Sequence, residues 1–489
     1  MLLICDIMIF VYKRRNLPFD IVDTLFGVIR MVPFYAENVK STDYSEFLSN
    51  LCDVTCENKN IEMDLYNKYN VKRGLRNADG TGVLVGLTRV GEVRGYIIDE
   101  NEKVPIDGRL LYRGIDVYDL CAGCRKDGRF GYEECIYLLL TGKLPTKEEL
   151  NTFTQYLADH RFLPNGFAED MILKAPSSNI MNKIARNVLA AYSYDENPDD
   201  LSIDNVLRQS LLLIAQLPIM VSYAFQAKSH YYDGNSLFLH RPDRSMSTAE
   251  NILHMIRPDG KFTKLEAEIL DLCLILHAEH GGGNNSSFTI RVVSSSGTDT
   301  YAAISSAINS LKGSKHGGAN LKVMDMVDNI KANVDDCTDE DKMFDYLCKI
   351  LRKEAYDKSG LVYGMGHAVY TMSDPRAVLL KEKAAELAGV MGKEEEFMLY
   401  KNIEKLTPKA FETVKGQHKV MCANVDLYSG FVYSMLNIPR DLYTPLFAVS
   451  RVAGWAAHRI EELIAGQKII RPAYKNIGGR QKYIELDCR

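Results

Sequence analysis

Along most of the chain apolar positions recur three and four residues apart, the helical spacing. Residues 265–280 are almost wholly apolar and run into Gly281-Gly282-Gly283, which predicts a buried helix with a hard stop. Residues 301–311 put Ala302, Ile304, Ala307, Ile308 and Leu311 on one buried face, and Gly313 ends the helix. Asp374-Pro375 opens a further helix over residues 377–388. Residues 449–464 carry Ser450, Ala453 and Gly454 beside Trp455, a pattern suited to close helix packing. Strand-like alternation is confined to residues 92–96 and 110–113, which predict a small ribbon separated by Asp107-Gly108. The pattern as a whole predicts an all-α fold.

Residues 1–68 are mixed in pattern and read as a peripheral helical extension. Their first twelve residues are apolar, but the basic run Lys13-Arg14-Arg15 follows rather than precedes them, the reverse of a secretory signal, and twelve residues are too few to span a bilayer. Residues 210–228 approach spanning length, yet Gln216, Pro218 and Gln226 favour a buried helix of a large core. Residues 331–353 read as a solvated helix pair with its turn, and Glu394-Glu395-Glu396 as a solvated face.

With 489 residues the chain is long for one core, and its net charge of −5 gives no global basic field, which disfavours nucleic acid or a membrane surface as partner. Eleven scattered cysteines fit free thiols and a cytoplasmic location better than a disulfide framework. Cys121-Ala-Gly-Cys124 lacks a second pair at ligand spacing and is expected to be structural rather than a metal site.

Four segments place ionisable residues beside glycines at helix ends: HAEHGGGNNSS (277–287), GSKHGGAN (313–320), GMGHAVYTMSDPR (364–376) and ANVDLYSG (423–430). Glycine beside histidine lets a ligand approach the backbone. Singly, each has a plainer explanation. His277 and His280, three apart, are a weak metal pair; Gly364-Met365-Gly366 lacks a dinucleotide loop's third glycine; Asp426 alone suits a helix cap. Together, three histidines, an aspartate and three arginines fit one reaction type. Arg376, Arg451 and Arg471 suit a small di- or tricarboxylate, the histidines can donate to developing oxyanions, and a carboxylate can take a proton from carbon beside a carbonyl.

In order and content these segments, with LLYRGIDVYDL (110–120), VSRVAGW (449–455) and IIRPAY (469–474), resemble the citrate synthase family over roughly residues 70–480. The resemblance implies a mostly helical homodimer with a large domain (69–319 and 433–489), a small domain (320–432) and a cleft that binds oxaloacetate and then acetyl-CoA, with no metal or redox cofactor. By position Asp426 resembles the general base, His316 the donor to the thioester carbonyl and His367 the donor to the ketone. His280, Asn284, Arg376 and Arg451 match oxaloacetate- and citrate-binding positions, and Arg471 the arginine that reaches the partner subunit's site. Two departures stand out. Residues 368–371 are neutral where many relatives have Arg or Lys, leaving Lys312, Lys315 and Lys322 as candidates for the CoA phosphates, and Gly281 replaces a frequent Glu. The expected activity is condensation of acetyl-CoA with oxaloacetate. The alternatives are a 2-methylcitrate synthase using propionyl-CoA, a non-catalytic CoA- or carboxylate-sensing helical dimer and, more distantly, a metal-dependent hydrolase using His277 and His280.

Overall fold

The computed structural model describes residues 45–57, 61–100, 102–466 and 468–488. The apolar opening of the chain and Cys5 lie outside them. The chain divides into two compact units, Met1–Leu75 and Arg76–Arg489. The first contains α1 (Ser45–Glu57) and α2 (Met63–Lys68).

The second unit opens with β1 (Gly91–Asp99), β2 (Glu102–Tyr112) and the two-residue β3 (Ile115–Asp116), an antiparallel sheet in that order. Helices follow: α3 (Val117–Lys126), α4 (Tyr132–Thr141), α5 (Lys147–Asp159), α6 (Ile180–Ala191), α7 (Ile203–Asp233), α8 (Thr248–Ile256) and α9 (Lys264–His277). Next come α10 (Asn285–Ser294), α11 (Thr300–Lys312), α12 (Ala319–Asn333), α13 (Glu340–Leu351), α14 (Pro375–Met391), α15 (Glu394–Lys415), α16 (Val425–Met435) and α17 (Tyr443–Ala465). The chain is mainly α-helical, as its periodicity predicts.

Helix α17 is the hub. It packs on α4, α7, α9, α10 and α11, and Trp455 at its centre is fully buried. Its small residues have the expected use, since a Cβ on Gly454 would collide with the Ala278 carbonyl and the Glu279 carboxylate. Helix α7 is long and apolar enough to cross a membrane, but most of that apolar stretch is buried in the core. Cys121 and Cys124 are buried in α3, where burial first of all raises both thiols, Cys124 to about 12. Among the described residues no two cysteines form a disulfide.

Two local expectations need correction. The ribbon does not turn at Asp107-Gly108: Asp99 pairs with Glu102, and both 107 and 108 lie inside β2. Gly108 is required by close approach instead, because a Cβ there would run into the Ser373 carbonyl and lie 2.7 Å from the Tyr370 ring. Helix α9 ends at His277, so His280 stands beyond the helix rather than on one face with His277. Gly281, with φ +79°, takes the left-handed conformation that turns the chain there.

The Gly108 contact makes the ribbon a backstop for the segment that carries His367 and Arg376. Gly108→Ala is expected to lower stability by about 1–3 kcal/mol through overpacking and to lower turnover together with it. Denaturant unfolding and a CoA-release assay on the same variant check both.

Candidate active site

The four glycine-flanked segments converge. Asn424 is the N-cap of α16: its side chain accepts from the Asp426 amide at 3.0 Å and donates to the Gly366 carbonyl at 2.9 Å. The Gly366 amide donates to Cys422 O at 2.8 Å, and Met365 and Ala423 form an isolated bridge. This cross-link fixes the His367 loop against the start of the helix that carries Asp426. Asp426 is half-buried, and desolvation first of all pushes its carboxyl up to about 6, with Asp374 adding and Arg376 and Arg451 opposing.

The backbone amides of Val369 and Tyr370 both donate to His367 Nδ1 at 3.1 Å. That nitrogen must therefore accept, and the ring proton sits on Nε2, free to donate to a ligand. The His280 ring stands edge-on to His367 with centroids 5.2 Å apart, and its buried Nε2 has no protein partner among the described residues. Burial, with Arg376 and then the other site charges, holds His280 well below the usual imidazole range. His367 is lowered to about 4 by burial and then Arg376, and His316 to about 4 by burial and then Arg451. All three imidazoles are neutral at pH 7.

His316 precedes α12 and lies 3.2 Å from Ser286 Oγ. Ser286 Oγ also accepts from Trp455 Nε1 at 3.0 Å and lies 2.9 Å from Asn284 Oδ1. Asn284 is the N-cap of α10, so this polar chain ties it to His316. Arg376 is buried and paired with Asp374 through Nε at 3.0 Å and Nη2 at 2.8 Å. Arg451, equally buried, donates its Nε to the His277 carbonyl at 2.9 Å, and its two terminal nitrogens make no hydrogen bond among the described residues. A buried guanidinium with free donors is a ready carboxylate receptor.

Sequence reasoning missed several supporting residues. Glu279, wholly buried, lies 2.9 Å from His458 Nε2. His458 Nδ1 takes hydrogen bonds from Arg291 Nε at 3.1 Å and Nη2 at 2.8 Å, which makes the ring a neutral relay between them. Arg291 in turn pairs with Glu461 and Glu462. Tyr370 stacks on His367 at 4.7 Å and lies 5.7 Å from His280. Glu279 and Tyr370 lie inside the motifs, whereas His458, Arg291, Glu461 and Glu462 had no signal beyond proximity to them. Arg471 stands apart, exposed on the extended segment after α17.

The rings of His277 and His280 diverge, His277 stacking on Phe447 at 3.6 Å. Among the described residues no group of three or more His, Cys, Asp or Glu side chains could hold a metal.

Residues 80–473 match the family model described as "Citrate synthase, C-terminal domain". The chain belongs to the citrate synthase family. It is 35% identical to a citrate synthase of Haloferax volcanii over 395 residues, 79% of this chain and 95% of the relative. It is also 31% identical to 2-methylcitrate synthase 1 of Corynebacterium glutamicum over 418 residues, 84% and 97% of the two chains. Among solved structures, citrate synthase from Thermotoga maritima aligns with TM-score 0.65 and 28% identity, covering 83% of this chain and 98% of that one. The ternary complex of carboxymethyl coenzyme A and oxaloacetate with citrate synthase from Thermoplasma acidophilum aligns with TM-score 0.69 and 25% identity, covering 85% of this chain and 99% of that one. Like its family, the chain is an acyltransferase that condenses an acyl-CoA with oxaloacetate.

Proposed function

We propose that the chain makes citrate from acetyl-CoA, oxaloacetate and water, with Asp426 as the base that removes the methyl proton. The observation that carries this reading is the set itself: one carboxylate lifted towards neutrality beside two buried arginines and three neutral imidazoles. A thioester methyl is a weak carbon acid, so its deprotonation needs a donor to the oxyanion as it forms. His316 has that role when the Ser286 hydroxyl turns its single hydrogen from Asn284 Oδ1 to His316 Nε2, which leaves the ring proton on Nδ1 for the thioester carbonyl. The carbanion then attacks the oxaloacetate ketone, polarised by the Nε2 proton of His367. Arg376, Arg451, His280 and Asn284 hold the carboxylates and the ketone in place. Water hydrolyses the citryl thioester, and no step needs a metal or a redox cofactor.

Closure of a small domain, residues 320–432, over a large one, 69–319 and 433–489, would keep water out before condensation. Arg471 has an exposed place from which to reach a second subunit of a homodimer. Cysteines without disulfides among the described residues suit a cytoplasmic enzyme.

CoA release with a panel of acyl-CoAs and 2-oxo acids tests the function. Acetyl-CoA with oxaloacetate is expected to give the highest kcat/KM. The 2-methylcitrate synthase relative makes propionyl-CoA the alternative, and one methylene is worth only about 1–3 kcal/mol, a 10- to 200-fold preference. A higher value for propionyl-CoA would reassign the substrate. No release with any pair would favour a sensing role.

A further inference from the structure

Behind Asp426 lies a strip of buried polar groups that the mechanism does not use. Asp426, Ser429 and Tyr433 are three and seven residues apart on α16, and so share one side of that helix. Gly430, between them, faces α12, where a Cβ would lie 2.7 Å from Met324 Sδ and 3.7 Å from the Asn320 carbonyl. At the far end the Tyr433 ring meets His277 edge-on, with centroids 6.3 Å apart. Asn320, Ser429, Tyr433 and His277 are each fully buried. Both polar atoms of the Asn320 amide, both His277 ring nitrogens, Ser429 Oγ and Tyr433 Oη have no protein hydrogen-bond partner among the described residues. Thirteen buried side-chain atoms in the described residues share that condition, and these six lie on α16 itself and on α12 and α9, which meet it at Gly430 and Tyr433.

Buried polar groups in folded proteins are almost always satisfied, and where protein atoms do not do it, internal water does. The donor and acceptor inventory suits water: amide and hydroxyl groups can give and take, and the neutral His277 ring has one nitrogen of each kind. Lining charges that would select an ion are not part of the strip.

We propose that Asn320, Ser429, Tyr433 and His277 form an internal water site behind Asp426, whose occupants hydrogen-bond towards the carboxylate and keep it partly hydrated in a cleft that excludes bulk solvent. The proposal rests on the reading of Asp426 as base and makes these four positioning residues. The charged and titratable groups around Asp426 are Arg376 and Asp374 at the start of α14 and Arg451 on α17; Tyr433 lies on its own helix, with Cys273 and His277 from α9 and Tyr443 from α17 behind it. Tyr433→Phe and Ser429→Ala leave Arg376, Asp374 and Arg451 unchanged. Removing water from a carboxylate disfavours its ionised form, so a drier strip raises the pH at which the base switches on.

The first test is a crystal structure of the full chain at a resolution that defines water. Ordered water within hydrogen-bond distance of Tyr433 Oη and the Asn320 amide is expected, and a dry, collapsed strip overturns the proposal. The second uses Tyr433→Phe and Ser429→Ala, each of which deletes one oxygen, with the acid limb of kcat as readout. The limb should move up by about half to one pH unit, a three- to tenfold loss of rate on the acid side, with the oxaloacetate KM within about twofold. An unchanged limb in both variants overturns it, as a merely structural role predicts. Should either variant fail to fold, the crystal structure of the unaltered chain still decides. Proton exchange surviving in Asp426→Ala would instead remove the base assignment, a result distinct from a dry strip.

Discussion

Replacing Asp426 by alanine is expected to stop proton exchange from the methyl group of acetyl-CoA while oxaloacetate still binds. The arginines that hold the keto acid do not depend on that carboxylate: Arg376 is anchored by Asp374 and Arg451 by the His277 carbonyl. Loss of a positioned base costs about 10²–10⁴ in rate. Deuterium wash-in by NMR, alongside oxaloacetate binding by calorimetry, separates the two effects, and full exchange in the variant would refute the assignment. The same residue links activity to stability. Its carboxyl titrates at about 6 in the fold against an ordinary 3.8, so between those values the folded chain binds the extra proton. Stability therefore falls as pH rises through that window, and the cost is fully present at pH 7. Asp426→Asn, which copies the neutral form, should be more stable than the parent at pH 7 by up to about 3 kcal/mol and no more stable below pH 4, while remaining inactive. Denaturant titrations at the two pH values check the sign. In the parent, the exchange rate should fall about tenfold per unit below pH 6.

How much of this was legible in the sequence differs by type of feature. The helices were, because their apolar spacing and their caps are local: Asp374 accepts from the Arg376 amide where Asp-Pro predicts a helix start. So were the individual site residues, through the motifs that carry them. Long-range pairings were not. Nothing local tells that Glu279 meets His458, 179 positions away, or that Trp455 donates to the serine beside His316. Glycines also misled, because a sequence does not distinguish a turn from a close approach. Gly108 looked like a hairpin turn and is instead a flat spot under Tyr370. Residues 277–280 looked like one helix face, yet the left-handed Gly281 follows a helix already ended at His277. His280 is thereby released from the helix to face His367, an arrangement the helical reading would not permit.

Arg376→Leu is expected to damage both stability and substrate affinity, and the two can be separated through Asp374. The Asp374 side chain is fully buried, and apart from the helix-capping amide its hydrogen bonds come from the Arg376 guanidinium. Removing one partner of such a pair leaves an uncompensated buried charge, a loss of about 3–5 kcal/mol. The double variant Arg376→Leu/Asp374→Asn removes that charge while keeping a cap, and should recover most of the lost stability. It should not recover oxaloacetate binding. Truncating a desolvated charge partner costs about 2–5 kcal/mol of binding, so the affinity should remain 30-fold or more below that of the parent in both variants. Denaturant unfolding and oxaloacetate calorimetry on the three proteins give the cycle. If the double variant regained both stability and affinity, Arg376 would be a structural counter-ion for Asp374 and the keto acid's carboxylates would rest on Arg451 alone, whose terminal nitrogens are already free to receive one.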